Sequence, residues 1–401
     1  MLSRSVCRAA RHKIRSNGRA DVMIFPVEDI FAEAPRATPL YAAAASSSAA
    51  NVWTSINGWS VARVYDAVET EYEFAKNEAV LVDLGALARY SVRGEDAGAF
   101  LSRLTTAPTP RLEAGESARG LMLMDNGGVI DLAEVSRLSD ELFLLTTPMR
   151  HPRRLKLAAR GLNVVIEDIA SDVGAIGVLG PASSEILAGA GLKGAAQRLA
   201  ATGSLRGVET AARPVQFGSV AGVELIFPEE EALTVWERLI RRGGVAPIGL
   251  DALEILRLES GAPRTGLDYT PADHMRPETR RTPDEIGLPH LAPLDKGWFN
   301  GRRALRENPR PAGRRLVTMS VDADHLSPGA GVFAGDKPLG RVTSCAWSPS
   351  NKRVIAQVDI STVRIAKSFE ISMVSTDGAR ASAQIFETLE SKAAVAYYDG
   401  M

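Results

Sequence analysis

The sequence contains few cysteines and histidines. Its two cysteines are Cys7 and Cys345, which excludes a disulfide framework or a cysteine-rich metal site. The five histidines are scattered along the chain, and none is paired with another at the spacing of metal ligands. We therefore expect that the protein binds no metal.

A strong net charge and a long apolar run are also missing. The 47 Lys and Arg residues balance 48 Asp and Glu residues, so no overall field would attract nucleic acid or an anionic membrane. No apolar run reaches the ~20 residues that span a bilayer. We expect a cytoplasmic monomer or homodimer of two or three domains whose partner is a small molecule.

The N-terminal segment differs in composition from the rest of the chain. Residues 1–22 carry several Arg and Ser residues but a single acid, Asp21. This bias resembles an organelle transit peptide, but an upstream start codon, with Met23 as the working start, is the favoured interpretation. We treat residues 1–37 as a tail that is either non-native or cleaved.

Residues 38–309 alternate strand-like stretches with short helices. Gly127-Gly128 predicts the turn of a β-hairpin between the apolar runs 121–124 and 129–135. Other strands are predicted at 88–93, 140–147, 173–179 and 222–227. Helices are predicted at 230–242 and 249–259, the first with an apolar face of Leu233, Trp236, Leu239 and Ile240.

The pattern changes to short strands in residues 310–401. They are predicted at 315–321, 339–344, 353–359, 368–374 and 381–387. Gly, Pro, Asp and Ser fill the gaps, which is typical of a small β-barrel or sandwich. The predicted fold class is therefore α+β, with a mixed α/β body and a C-terminal β-barrel. The aperiodic stretch 262–290 predicts a long functional loop before it.

Common catalytic and nucleotide-binding motifs are missing. Residues 329–334 match the dinucleotide fingerprint loosely, but a turn and a strand follow where that motif needs a helix. The sequence has no P-loop, no His-Glu-x-x-His pair and no Gly-x-Ser-x-Gly elbow. Nucleotide, metalloprotease and serine-hydrolase functions are therefore not supported.

Eight short stretches point to a known family. In chain order they are Thr38-Pro39-Leu40-Tyr41, Val92-Arg93-Gly94, Gly127-Gly128-Val129-Ile130-Asp131, Ile176 with Gly180-Pro181, Gly222-Val223-Glu224-Leu225, Leu256-Arg257-Leu258-Glu259-Ser260-Gly261, Phe299-Asn300-Gly301-Arg302 and Val342-Thr343-Ser344. They resemble the aminomethyltransferase family, the glycine-cleavage T-protein and its folate-dependent demethylase relatives. The resemblance implies a three-domain ring around a tetrahydrofolate channel, with two interleaved subdomains in residues 38–309 and the barrel in residues 310–401.

The resemblance assigns roles to two carboxylates. Asp131 matches the residue beside the reacting folate nitrogen, where a carboxylate can stabilise positive charge or relay a proton. Glu224 matches the residue that accepts paired N–H bonds from the pterin. A turn-capping role for Asp131, and a solvated strand position or ion pair for Glu224, are the alternatives.

Several positions depart from the T-protein pattern and indicate another substrate. Leu132 replaces the second Asp of the hairpin, and Phe217 replaces a tyrosine but is still assigned to the cofactor site. Arg119 replaces another tyrosine and becomes a candidate catalytic residue, or else a surface arginine. Arg257 and Glu259 match the helix pattern and are expected to form a buried ion pair.

Further residues in the N-terminal segment and the long loop are candidates for substrate binding. Aromatic and arginine side chains suit a flat, anionic substrate through stacking and charge, although each also fits a surface or packing role. These candidates are Tyr65, Trp59, Tyr269, His274 and Arg276.

The sequence therefore predicts an enzyme that moves a one-carbon unit from a small donor to tetrahydrofolate. The departures favour a demethylase acting on a methoxy-aromatic, a methylated amine or a sulfonium compound. One alternative is a folate-independent lyase that releases formaldehyde from a hydroxymethyl-bearing aromatic. A non-catalytic, folate-binding assembly factor is the other, although Trp298 replaces the cysteine of its Lys-Gly-Cys-Tyr-x-Gly motif.

Overall fold

The computed structural model describes residues 35–192, 201–205, 207–276, 280–307, 313–362, 371–374, 378–388 and 390–393. The predictions for residues 1–22 and for the domain boundary at 309/310 fall outside this set. Among the described helices, none is long and apolar enough to cross a membrane.

The body contains three open sheets. Its strands, in chain order, are β1 (Arg36–Ala37), β2 (Val52–Ile56), β3 (Trp59–Val64), β4 (Val80–Asp83), β5 (Ala88–Arg93), β6 (Ser117–Leu123), β7 (Val129–Arg137), β8 (Leu142–Thr147), β9 (Val165–Asp168), β10 (Val173–Leu179), β11 (Ala201–Leu205), β12 (Val208–Phe217), β13 (Val220–Pro228) and β14 (Ala246–Pro247). The three-stranded sheet has the order β1-β3-β2, the five-stranded sheet β6-β7-β8-β5-β9, and the six-stranded sheet β11-β12-β13-β10-β4-β14.

The C-terminal region forms a closed barrel. Its strands are β15 (Arg314–Val321), β16 (Gly331–Ala334), β17 (Lys337–Ser348), β18 (Arg353–Ser361), β19 (Ile371–Val374) and β20 (Arg380–Ile385). They follow one another around the barrel as β15-β18-β17-β16-β19-β20, and β20 pairs back to β15. Closure leaves no unpaired sheet edge. The predicted fold class, an α/β body with a C-terminal β-barrel, is confirmed.

Short helices cover the sheets and join the body to the barrel. They are α1 (Tyr41–Ser47), α2 (Val68–Asn77), α3 (Ala97–Leu104), α4 (Pro152–Ala158), α5 (Ser183–Gly189), α6 (Ala232–Gly243), α7 (Leu250–Ser260) and α8 (Arg302–Glu307). Helix α7 packs against α2 in the body and against β17 and β18 of the barrel.

Apolar spacing decides which face of each element is buried. In α6, Val235, Trp236 and Leu239 are at most 2% exposed and pack into the core of the six-stranded sheet. Leu233, predicted on that buried face, is 55% exposed, so that part of the prediction is wrong. The buried stripe runs through 232, 235, 236 and 239, which places position 233 on the outer side of the helix.

One segment agrees with the sequence-based expectation, and another was not predicted. Strand β16 lies within the rejected fingerprint at 329–334 and runs through a turn at Gly335 into β17, as its lack of a following helix indicated. Strands β2 and β3 form a hairpin that was not predicted from the sequence. Their short turn, Asn57-Gly58, has positive φ at both residues, which matches a hairpin turn.

The chain path interleaves the two larger sheets. Strand β4 belongs to the six-stranded sheet, but residues 88–168 leave it to form the five-stranded sheet before β10 returns beside β4. The two sheets are consequently joined by short crossings at either end of this insertion. Inward-facing residues of both sheets meet across a cleft, where the candidate site lies.

We expect the barrel to tolerate no side chain at Gly340. A methyl group there would lie 1.9 Å from the carbonyl oxygen of Asp359 on the neighbouring strand, and that backbone cannot retreat without breaking the ladder. Gly340→Ala should lower the free energy of unfolding by ~1–3 kcal/mol. The measurement is urea unfolding followed by circular dichroism.

Gly313→Ala is the matched control, since nothing in the described part of the chain lies within 4 Å of a methyl group at that position. An equal midpoint for the two variants would contradict the predicted clash.

Candidate active site between the two sheets

A cleft of about 960 Å³ separates the five-stranded from the six-stranded sheet. This volume lies in the range of small-molecule sites, which are mostly apolar with a few inward polar groups. Apolar wall residues include Leu87, Leu132, Phe217 and Val220. The cleft therefore has the size and the wall composition of a ligand site.

Three polar side chains cross the five-stranded sheet in one row. Arg119 on β6 is the register partner of Glu134 on β7, and Glu134 is the partner of Thr146 on β8. All three line the cleft. Directly opposed side chains in antiparallel strands have Cβ atoms ~5 Å apart, so the row forms one continuous polar strip.

A second row crosses the six-stranded sheet opposite the first. Arg213 on β12 is the register partner of Glu224 on β13, and both line the cleft. Arg213 donates from Nε to Oε2 of Glu224 at 2.5 Å, and its Nη1 lies 2.5 Å from Oε1 of Glu134. Arg213 thus links a carboxylate of its own sheet to one of the facing sheet.

A second arginine makes the same link in the opposite direction. Arg89, on β5 of the five-stranded sheet, donates from Nη2 to Oε1 of Glu224 at 2.5 Å. Its Nη1 donates to the carbonyl oxygens of Leu84 and Leu87. Arg89 and Glu224 are both 0% exposed, so this pair is withdrawn from water. We call the chain Arg89, Glu224, Arg213 and Glu134 the inter-sheet clamp.

The pKa values of the two carboxyl groups in the clamp are shifted in opposite directions. Burial alone would raise the pKa of Glu224, but Arg213 and Arg89 outweigh it and hold that pKa below its ordinary value. At Glu134 burial dominates, and the nearby Glu224 adds to it. Arg213 and Arg119 lower that pKa by less, so it stays above its ordinary value. Glu134 is therefore the more easily protonated of the two wall carboxylates.

Asp131 is fully buried and lies outside the described cleft wall, although it precedes Leu132 on β7. Its carboxylate accepts four hydrogen bonds: from the backbone N–H of Leu132 and Met149, from His151 Nε2 at 2.8 Å and from Thr265 Oγ1 at 2.7 Å. This network ties the hairpin to the long loop.

Tyr269, a predicted substrate residue, belongs to the Asp131 network. Its hydroxyl lies 2.7 Å from Thr265 Oγ1, and burial together with the charge of Asp131 raises its pKa strongly. The histidine of this network, His151, was not singled out from the sequence. Its position just after β8, 20 residues beyond Asp131, gives no local signal of the contact.

Arg119 lies at the rim of the cleft with 45% of its side chain exposed. Its Nη1 is 3.5 Å from Oε1 of Glu390, which follows the barrel in the chain, and Oε2 of Glu390 is 3.1 Å from His290 Nε2. Burial opposes ionisation of Glu390, but His290 and Arg119 hold its pKa below its ordinary value. The predicted catalytic arginine is thus accessible from the cleft and anchored by a carboxylate.

The other predicted substrate residues lie elsewhere. Tyr65 is buried in the core of the six-stranded sheet and stacks on Trp236, with ring centroids 6.3 Å apart. Trp59 is buried in a small apolar cluster beneath Arg36. His274 and Arg276 are exposed in the long loop. The structure brings none of these four to the described cleft wall.

Arg257 and Glu259 each form ion pairs, but with separate partners. Arg257 binds Glu254 at 2.6 Å and Asp268 at 2.8 Å. Glu259 instead accepts from Tyr72 and lies 3.4 Å from Lys76. Residues two apart on a helix point in different directions, which explains the separate partners.

Family comparisons agree with this architecture. The protein-family model for the GCVT N-terminal domain matches residues 42–295. The model for the glycine cleavage T-protein C-terminal barrel domain matches residues 314–389. The first match alone covers more than half of the chain. The chain belongs to the glycine cleavage T-protein family.

Named relatives of this T-protein family member are distant but nearly full-length. The aminomethyltransferase of Thermoanaerobacter sp. (strain X514) is 27% identical over 78% of this chain and 87% of its own. That of Moorella thermoacetica is 28% identical over 84% and 93%. The glycine cleavage system aminomethyltransferase T from Bartonella henselae has the same fold, with a TM-score of 0.77, 22% identity, and coverage of 88% and 98%.

Removing the central carboxylate of the clamp should destabilise the protein strongly. Glu224→Ala leaves the buried guanidinium groups of Arg89 and Arg213 without the counter-charge they share. We expect a loss of ~3–5 kcal/mol in the free energy of unfolding, the usual cost of breaking a buried pair. Urea unfolding measures this loss.

Glu167→Ala is the control for that variant. Glu167 on the edge strand β9 pairs with Arg93 on the neighbouring strand β5, and both side chains are about half exposed. Its loss should cost at most ~1 kcal/mol. Similar costs for the two variants would refute the structural role of the clamp.

The lowered pKa of Glu224 also predicts acid sensitivity. A carboxyl group with a lowered folded-state pKa contributes stability above its unfolded value of ~4.3, and this contribution is lost as the pH falls through the folded value. The unfolding free energy should therefore decrease below about pH 5, with a shallower slope in Glu224→Gln. Parallel slopes across a series of urea titrations would contradict this assignment.

Proposed function

We propose that this protein transfers a one-carbon unit from a small methoxy-aromatic donor to tetrahydrofolate bound in the cleft between the sheets. The observation that carries the proposal is the cleft itself, with apolar walls and two facing polar rows, in a chain of the T-protein family. Its relatives are named aminomethyltransferases, a one-carbon transfer activity.

The wall residues fit a folate. Thr146 Oγ1 is buried in the wall without a hydrogen-bond partner in the described part of the chain. A ligand could supply that partner, either as an N–H donor or as a nitrogen or oxygen acceptor. Glu224 accepts from two arginines through both of its oxygens and is 0% exposed, so in this site it holds the guanidinium groups of the wall in place. Leu132 and Phe217 supply flat apolar contact.

Each wall group has a distinct part in such a site. Phe217 and Leu132 would hold a planar ring and keep water away from it. The accessible guanidinium of Arg119 would orient an anionic group at the rim. When bound, tetrahydrofolate supplies the acceptor nitrogen for the one-carbon unit.

Titration with tetrahydrofolate tests this proposal. At 100 times its dissociation constant the ligand should stabilise the native state by ~2.7 kcal/mol, which thermal denaturation detects. Phe217→Ala should weaken binding because it removes a wall contact. Phe74→Ala is the matched control, since Phe74 is an exposed residue of α2 outside the described wall.

The same preparation should then be incubated with methoxy-aromatic donors, with and without folate. Demethylation only in the presence of folate supports the transferase. Free formaldehyde formed from a hydroxymethyl-bearing aromatic in folate-free buffer would instead establish the lyase. Folate binding without turnover of any methylated donor would establish the assembly factor.

A further inference from the structure

Two carboxylates, Glu134 and Glu224, line the described cleft wall, and they differ in how accessible they are to a bound molecule. Both oxygens of Glu224 accept from buried arginines, and its side chain is 0% exposed. Glu134 is 24% exposed, and the contact described for it is Oε1 with Arg213 Nη1. Glu134 is therefore the wall carboxylate that can exchange a proton with a bound molecule.

Strand alternation separates Glu134 from Asp131. Side chains of a strand point to opposite faces in turn, so Leu132 and Glu134 share the cleft face of β7. Asp131 faces the other way into its network of four donors. Asp131 is fully buried and outside the described cleft wall, so it does not reach a molecule bound in the cleft.

The surroundings of Glu134 are suited to a protonated carboxyl group. The charged groups that face it are Arg213 and Glu224 of the six-stranded sheet and Arg119 of its own sheet. Their effects partly cancel, and burial then favours the neutral acid, raising the pKa. Its cross-strand partner Thr146 presents a hydroxyl that has no partner among the described residues, so two polar groups converge at one point of the wall.

We propose that Glu134 is the catalytic acid that protonates the departing oxygen of an aryl methyl ether. This inference rests on the proposed transferase function. The methyl carbon–oxygen bond breaks and a bond forms from that carbon to the acceptor nitrogen. Glu134 gives its proton to the phenolate oxygen and regains one from the proton that the acceptor nitrogen loses. Atoms and charge balance without an oxidant or a reductant.

The kinetic test compares two methoxyarenes that release phenols of different acidity. A nitrophenolate departs readily without protonation, whereas an unsubstituted phenolate requires it. Glu134→Gln retains an oxygen for Arg213 but carries no acidic proton. With tetrahydrofolate present, this variant should lose roughly 10²–10⁴-fold in rate on the unsubstituted ether and less than ~10-fold on the nitro ether. Glu167→Gln, the matched surface control, should resemble wild type on both.

A second readout does not depend on turnover. Infrared titration of the ligand-free protein should show several protonated carboxyl bands that persist above the ordinary pH range, because burial also raises the pKa of Glu71, Asp83 and Asp251. One of these bands should belong to Glu134. That band should be absent from Glu134→Gln and retained in Glu167→Gln. Glu134→Asp should keep a titrating carboxyl group and recover part of the rate on the unsubstituted ether.

The outcomes separate the two proposals. Equal rate losses on both ethers, or normal titration of Glu134 while folate-dependent methyl transfer proceeds, would overturn the role of Glu134 and leave the transferase standing. Absence of folate binding and of methyl transfer in wild type would overturn the transferase, and this inference with it. Selective loss on the unsubstituted ether together with the missing band would establish both.

Discussion

The inter-sheet clamp is the interaction on which the candidate site depends. Each arginine reaches a carboxylate of the facing sheet: Arg89 of the five-stranded sheet binds Glu224, and Arg213 of the six-stranded sheet binds Glu134. A buried charge is costly unless it is paired, so neither sheet can move away without exposing unpaired ions to an apolar interior. The two ion pairs consequently hold the facing sheets together beside the cleft.

The four groups of the clamp also differ in burial, and this gives its two carboxyl groups different pKa values. Glu224, enclosed by two guanidinium groups, remains ionised and structural. Glu134, at the partly exposed end of the chain of charges, has the opposite pKa shift. One end of the clamp therefore supplies rigidity, while the other leaves a titratable group facing the cleft. The two carboxylates of the clamp have opposite pKa shifts because Glu224 is enclosed by two guanidinium groups whereas Glu134 is not.

The barrel and helix α7 hold the long loop that contributes Thr265 and Tyr269 to the Asp131 network. Asp268 of the long loop binds Arg257 of α7 and accepts hydrogen bonds from Thr343 and Ser344 of β17. The next residue of that loop, Tyr269, lies against the Asp131 network through Thr265. An aperiodic loop is thereby ordered between helix, hairpin and barrel, because its polar groups have partners on each of them.

The sequence by itself determined the family, the mixed body with its C-terminal barrel and most strands, because local periodicity and turn residues encode them. Strand β5 at Ala88–Arg93 and strand β10 at Val173–Leu179 lie where they were predicted. Only the tertiary structure decided that Asp131 faces away from the cleft, and that Glu224 meets an arginine 135 residues away. Such contacts depend on how two sheets face each other, and no local pattern along one strand records the residues that lie across from it.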